Sequence, residues 1–161
     1  MARLELAEYD AARVERFASE AALIVKALGG RVRQIEHVGS TAVPGLAGKP
    51  TVDIAVGVDA IELPPEAVES MRAVGFRHQP DETRPWERRY VKGDEFPRAV
   101  IVHVVAWQGW KWRELIRFRD ALRADPELAS EYEELKRSLL QRGCWYRGVD
   151  KRELIERVLA E

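Results

Sequence analysis

The stretch IEHVGSTAVPGLAGKPTVDIAVGV, from Ile35 to Val58, decides how this chain folds. Two apolar runs rich in β-branched residues are joined by a loop of glycine, serine, threonine and proline. The runs predict two strands, and the second, Thr51 to Val58, is apolar at nearly every position, which is typical of a strand buried on both faces. Gly39-Ser40 ends the first run, and Asp53 is the one acidic residue of the second.

The rest of the chain alternates between helical and extended periodicity. The predicted elements, in order, are a helix from Val14 to Leu28 stopped by Gly29-Gly30, strands Val32–Val38 and Thr51–Val58, a helix between Pro64-Pro65 and Gly75, a short strand Phe76–His78, strands Trp86–Lys92 and Arg98–Trp107 joined by KGDEFP, and three helices, of which the last two are capped by Asp125 and Asp150. This order predicts an α+β fold, a mixed β-sheet covered by helices with a helical C-terminal third. With 161 residues, the chain is long enough for one domain over 1–161 with a substantial core.

Composition restricts the classes of function. The formal net charge is −1, whereas nucleic-acid-binding proteins are usually basic, so no nucleic acid partner is expected. No apolar run approaches the length of a membrane span, and the first residues, MARLELAEYD, lack the apolar core of a signal peptide. The one cysteine, Cys144, cannot form an internal disulfide bond. We therefore expect a cytoplasmic protein that does not bind membranes.

The loop between the two predicted strands has the residues of an anion site. Glycine at position 39 lets a phosphate approach the backbone, and the hydroxyl groups of Ser40 and Thr41 can donate hydrogen bonds. Asp53 on the neighbouring strand would face this turn and hold a metal ion. The alternative is that Asp53 is a buried acid paired with an arginine or with Lys49.

Basic residues near this loop supply further candidate ligand contacts. Lys49 either contacts a ligand phosphate from the loop or is a solvated lysine. On the predicted strand after Trp86, Arg88 and Arg89 point in opposite directions, and one that faces the cleft can hold an anion in bidentate fashion. Alternatively, both arginines pair with nearby acids on a solvated face.

A metal site is the third possibility. His37, Asp53 and His103 each lie on a predicted strand, and two imidazoles with one carboxylate suit Zn²⁺, Mn²⁺ or Fe²⁺. The alternative is that the histidines satisfy buried polar groups by bonding to the backbone or to Asp53.

The segment HVGSTAVPGLAGKPTVDI resembles the signature of the GrpB family, whose members share the nucleotidyltransferase fold. Further matches follow in VIVHVV, FRDALRADPELASEYEELKRSLL and KRELIERVL, so the resemblance covers nearly the whole chain. Active nucleotidyltransferases carry a glycine-serine pair, two carboxylates one residue apart on a strand, and a third carboxylate on a later strand. Gly39-Ser40 and Asp53 match this pattern, but Ala55 replaces the second acid, and the later strand offers His103.

The resemblance implies the fold, and the residues and the resemblance together leave three functions open. The first is binding of a nucleotide or other phosphorylated small molecule near Gly39, Ser40 and Asp53. The second is metal-dependent nucleotidyl transfer, with Asp53 as the catalytic residue and Mg²⁺ or Mn²⁺ as the possible cofactor. The third is an accessory role beside an enzyme of coenzyme A biosynthesis, because some relatives are joined to dephospho-CoA kinase.

Overall fold

The computed structural model of this chain describes residues 5–94, 97–143 and 151–161. Its five strands are β1 (Gln34–Val38), β2 (Val52–Val58), β3 (Arg77–Gln79), β4 (Glu87–Lys92) and β5 (Val100–Ala106), and its five helices are α1 (Ala12–Leu28), α2 (Pro65–Ala73), α3 (Trp110–Ala124), α4 (Pro126–Gln141) and α5 (Arg152–Ala160). The prediction of a mixed sheet with helices, and with a helical C-terminal third, is confirmed. The Asp150 cap and part of the KGDEFP connection lie outside the described residues.

The five strands form one sheet in the order β1-β2-β5-β4-β3. β2 and β5 pair in parallel, and the other neighbours pair antiparallel. Because side chains alternate across a strand, these registers assign each residue to one face of the sheet. Asp53 and Ala55 of β2 share a face with His103 of β5, whose registered partner is Ala55.

Helices cover both faces of the sheet. On the first face, Ile24 of α1 and Met71 of α2 pack on Ile54 and Val102, and these four side chains are fully buried. On the opposite face, the Asp53 face, Trp112 of α3 packs on Val38, Ala55 and Val105. The prediction that β2 is buried on both faces is therefore confirmed, and Asp53, at the open end of the strand, is only partly buried.

Helix α4 does not lie on the centre of the sheet. It packs with α3 and α5 on the loop that follows β1, where Val43 and Leu46 contact Leu122 and Tyr132. Its start agrees with the sequence, since the Asp125 carboxylate accepts hydrogen bonds from the amides of Glu127 and Leu128. This packing carries side chains of α4 to the Gly39-Ser40 turn. None of the helices in the described ranges is long and apolar enough to cross a membrane.

Candidate functional site

The turn after β1 lies directly against Asp53. Gly39 has φ +75° and ψ −175°, a conformation open essentially only to glycine. A methyl group at Gly39 would lie 2.7 Å from Asp53 Oδ2, so the absent side chain lets the carboxylate approach the backbone. The side chain of Asp53 remains 27% exposed. The structure thus brings Gly39, Ser40 and Asp53 together at a place where all three are at least partly exposed, and we call this place the Asp53 cleft.

His103 links Asp53 to a second, buried carboxylate. Its Nε2 lies 3.0 Å from Asp53 Oδ1, and its Nδ1 lies 2.7 Å from Oε2 of Glu87 on β4. Burial disfavours the charged ring, but the charge of Glu87 and the hydrogen bonds to both carboxylates outweigh it and raise the pKa of His103 to about 9. The ring is therefore an imidazolium at neutral pH and donates to both carboxylates.

Glu87 of β4 is the buried carboxylate of this site. Burial favours its neutral form, yet the positive charges of His103, Arg89 and Arg84 hold the pKa of this carboxyl well below its usual range. Its side chain is 1% exposed, and Arg84 and Arg89 lie 3.2 and 3.6 Å from Oε1. Side chains alternate between the two faces along β4, and Glu87 lies on the Asp53 face. This face can be assigned only from the register between β4 and β5.

His37 lies away from the other two candidate metal ligands. It is registered with Ile54, so its ring lies on the opposite face of the sheet from Asp53. There it stacks on Phe17 of α1, with ring centroids 4.8 Å apart, and its Nε2 lies 2.9 Å from Thr41 Oγ1. Thr41 is itself buried, and its hydroxyl donates to the carbonyl of Thr51. The structure therefore groups His37 with Thr41, apart from Asp53 and His103.

The two arginines of β4 also separate. Arg89 is registered with His103 on the Asp53 face, whereas Arg88 is registered with Val104 on the opposite face. Arg88 Nη2 donates to the Glu62 carboxylate at 2.7 Å, as the solvated ion-pair alternative expects. The Nε of Arg89 is buried and has no hydrogen-bond partner among the described residues. Of the two arginines, Arg89 is the one on the Asp53 face of the sheet.

Lysines complete the surroundings of the cleft. Burial lowers the pKa of Lys49, and the positive charges of Lys151, Arg89 and Arg84 lower it further, against the opposing influence of Asp53. These groups are thus close enough to act on one another electrostatically. The cleft collects more positive than negative side chains although the whole chain has a net charge of −1.

Lys136 of α4 was not a sequence candidate, although it contacts the Gly39-Ser40 turn. Its ammonium group is fully buried and donates to Ser40 Oγ at 2.8 Å and to the Ala47 carbonyl at 2.5 Å. Burial, reinforced by nearby cations, lowers the pKa of Lys136 to about 7. The available signal was its position in the helix, because it lies four residues after the buried Tyr132, on the apolar face of α4.

Burial of His37 predicts a loss of stability in mild acid. Burial lowers the pKa of His37 to about 4, whereas an unfolded histidine titrates near pH 6.5. The unfolded chain then binds the extra proton first, so the stabilisation is complete above about pH 6.5 and is lost as the pH falls towards 4. We expect the free energy of unfolding to fall by about 2 kcal/mol from pH 6.5 to 4.5, measured by urea titration.

His37→Gln is expected to remove most of this dependence. Leu128→Ala, in the separate apolar cluster between α4 and the loop after β1, is the control, because it should lower stability at every pH without changing the slope. A slope in His37→Gln equal to that of the wild type would contradict the assignment to His37.

Comparison with known proteins places the chain in one family. The family described as "GrpB protein" matches residues 3–160. The glutamate-rich protein GrpB of Alkalihalophilus pseudofirmus is 34% identical over 131 residues, which are 78% of this chain and 75% of that protein. A dephospho-CoA kinase of Mycolicibacterium paratuberculosis is 32% identical over 72% of this chain, but only 34% of its own length is matched. The crystal structure of GrpB from Enterococcus faecalis has a TM-score of 0.80 and 29% identity, covering 96% of this chain and 94% of that one. This chain therefore belongs to the GrpB family.

Proposed function

We infer that this protein binds a small phosphorylated molecule, such as a nucleotide, in the Asp53 cleft. The observation that carries the proposal is the set of basic groups around Asp53 and the Gly39-Ser40 turn. Lys136 contacts Ser40, Lys49 is close enough to Asp53 to interact with its charge, and Arg89 lies on the same face of the sheet as Asp53. Burial and mutual repulsion disfavour the charged forms of both lysines. A bound anion would relieve this repulsion, and the buried Nε of Arg89 offers a donor without a partner among the described residues.

Within this site each group has a distinct role. The exposed Gly39-Ser40 turn offers its backbone and the Ser40 hydroxyl group to a phosphate oxygen. Arg89 and Lys49 supply the balancing charge. The imidazolium of His103 holds Asp53 in place, so the carboxylate can accept a hydrogen bond from a ligand hydroxyl and select its orientation.

The residues present do not fit the Mg²⁺ or Mn²⁺ centre that the nucleotidyltransferase resemblance implies. Ala55 occupies the position for the second acid, and it is fully buried under α3. His103 occupies the position for the later acid, and both of its ring nitrogens already contact carboxylates, those of Asp53 and Glu87. No cluster of three metal-ligating side chains occurs within residues 5–94, 97–143 and 151–161. These donors suit an anion better than a divalent cation.

Replacement of Arg89 tests the site. We expect calorimetry to detect binding from a panel of ATP, CTP, GTP, dephospho-CoA and 4′-phosphopantetheine, each with and without Mg²⁺ and Mn²⁺. Arg89→Met should weaken that binding at least about tenfold, the effect of one lost charge-assisted pair of about 1.5–3 kcal/mol.

Arg88→Met is the matched control, since Arg88 is the next residue of β4 and lies on the opposite face of the sheet. It should leave binding unchanged. No heat from any compound at millimolar concentration, or equal losses in both variants, would refute the proposal.

A second candidate function is that of an accessory protein that binds an enzyme of coenzyme A biosynthesis. Its support is the match between this chain and part of a dephospho-CoA kinase. The helical C-terminal third would then supply the contact surface for the partner enzyme. Gel filtration of this protein mixed with the dephospho-CoA kinase of the same organism tests it, and independent elution of the two proteins would exclude a stable complex.

A further inference from the structure

Ser40 and Lys136 form a contact that ligand binding does not require. The Nζ atom of Lys136 lies 2.8 Å from Ser40 Oγ, although the two residues are 96 positions apart in the sequence. Ser40 is partly exposed beside Gly39 and Asp53, whereas Lys136 is fully buried. A serine that faces a cleft with a buried lysine at its back is the arrangement used by enzymes in which lysine activates a serine nucleophile.

The surroundings of Lys136 favour a neutral amine. Its described contacts are uncharged: Ser40 Oγ, the Ala47 carbonyl and the ring of Tyr132, whose centroid lies 4.6 Å from Nζ. The positive charges of Lys151, Lys49 and Arg137 lower the pKa of Lys136 further. The negative charge of Glu133 acts in the opposite direction. A lysine in such surroundings can take up a proton near neutral pH, which an ordinary surface lysine cannot.

Close packing fixes the pair. A methyl group at Gly48 would lie 2.5 Å from Ser40 Cβ and 3.2 Å from Lys136 Nζ, so both side chains press against the backbone of that glycine. The Ala47 carbonyl occupies a second hydrogen-bonding position of the amine and orients it towards Ser40. This pre-organised geometry is what a general base needs and what a solvated ion pair does not provide.

We propose that Ser40 is a nucleophile activated by Lys136, and that the cleft hydrolyses or transfers the acyl group of a small carboxylic ester or thioester. Ser40 Oγ bonds to the carbonyl carbon while its proton passes to Lys136 Nζ. The bond from that carbon to the leaving oxygen or sulfur then breaks, and the leaving group takes the proton from Lys136. Water, or an acceptor alcohol or amine, then attacks the acyl carbon and gives its proton to Lys136. The bond from that carbon to Ser40 Oγ breaks, and Oγ takes the proton back from Lys136, which regenerates both residues.

The preferred acyl donor follows from the neighbouring charges. Only this preference for an acyl donor rests on the proposed function. If Lys49 and Arg89 bind phosphate, they favour an ester or thioester that carries a phosphate group. The nucleophile itself needs no anion, so reactivity at Ser40 and phosphate binding can be tested separately.

Labelling with a fluorophosphonate tests the nucleophile. The reagent forms a bond from Ser40 Oγ to phosphorus, releases fluoride and leaves the serine proton on Lys136. Intact-mass and peptide mass spectrometry should find one label, on Ser40, and none in Ser40→Ala. The labelling rate of the wild type should rise with pH through about 7, as Lys136 loses its proton.

Two lysine variants distinguish a base from a structural contact. Lys136→Arg keeps a long side chain that can donate hydrogen bonds but cannot accept a proton, so the labelling rate should fall at least about 100-fold, the usual contribution of a general base. Lys136→Met should reduce the labelling rate by a similar factor. Circular dichroism shows whether each variant is folded. Ser130→Ala, at an exposed serine of the same helix, is the control and should label at the wild-type rate.

Absence of labelling in the wild type would overturn the proposal. So would a label on another residue, a rate that is independent of pH, or a folded Lys136→Arg variant that reacts as fast as the wild type. None of these outcomes depends on whether a phosphorylated compound binds at the cleft.

Discussion

Glu87→Gln is expected to lower the free energy of unfolding by about 3–5 kcal/mol. This is the usual cost of removing one partner of a buried ion pair and leaving the other partner's charge uncompensated. The Glu87 side chain is 1% exposed and is contacted by His103, Arg84 and Arg89. Glutamine has nearly the same shape, so the change removes charge with little loss of packing. The imidazolium and the two guanidinium groups then lose their buried counter-charge, and Asp53 is left as the remaining acid beside them.

The same substitution should change how stability depends on alkaline pH. The raised pKa of His103 means that its stabilisation is complete below about pH 6.5 and is lost as the pH rises through about 9. In Glu87→Gln the negative charge that does most to raise the pKa of His103 is absent. The loss of stability between about pH 6.5 and 9 should therefore be smaller in this variant. Lys136 contributes the opposite slope above pH 7, but it does so in both proteins, and the difference between their curves isolates His103.

Urea unfolding followed by circular dichroism from pH 6 to 9.5 measures both effects. Glu82→Gln, at an exposed acid five residues earlier in the chain, is the control and should change stability by less than about 0.5 kcal/mol. If Glu87→Gln is within about 1 kcal/mol of the wild type at pH 7, the buried network does not have the energetic role assigned to it.

The sequence predicted the elements of this fold well because their signals are local. The apolar run of β2, the periodicity of α1 and the Asp125-Pro126 start of α4 each depend on neighbouring residues. The Gly39-Ser40 turn and Asp53 could be placed together for the same reason, since one short loop joins their strands.

The rest of the site depends on contacts between distant parts of the chain. Which face His37 and Glu87 occupy follows from strand registers, and a one-residue shift would move each to the other face. Lys136 reaches Ser40 only because α4 packs on the loop after β1. No local pattern encodes these contacts, so the sequence suggested a metal site at His37, Asp53 and His103, where the structure joins His103 to Glu87.

Gly39→Ala is expected to close the Asp53 cleft and to destabilise the protein. The backbone conformation of Gly39 costs a residue with a side chain about 1–3 kcal/mol. The added methyl group would also lie 2.7 Å from Asp53 Oδ2, so the carboxylate or the turn must move. Because this movement displaces a part of the proposed binding site, the turn or the Asp53 carboxylate, the binding proposed for this cleft should weaken at least about tenfold.

Gly45→Ala separates the two causes. Gly45 also has a positive φ, of +81°, but a methyl group there meets no atom within 4 Å. Gly45→Ala should therefore lower the free energy of unfolding only through its backbone conformation, without a steric clash. It should leave ligand binding unchanged. The excess destabilisation of Gly39→Ala over Gly45→Ala then measures the close approach between the turn and Asp53.

Removing Asp53 provides the decisive comparison. In a double-mutant cycle, Asp53→Ala should relieve the clash with the new methyl group, so the double variant should be more stable than the sum of the single effects by about 0.5–3 kcal/mol. Thermal and urea unfolding of the four proteins give this coupling. Strict additivity would mean that the carboxylate does not lie against Gly39, and the cleft on which the proposed binding depends would not have the shape described.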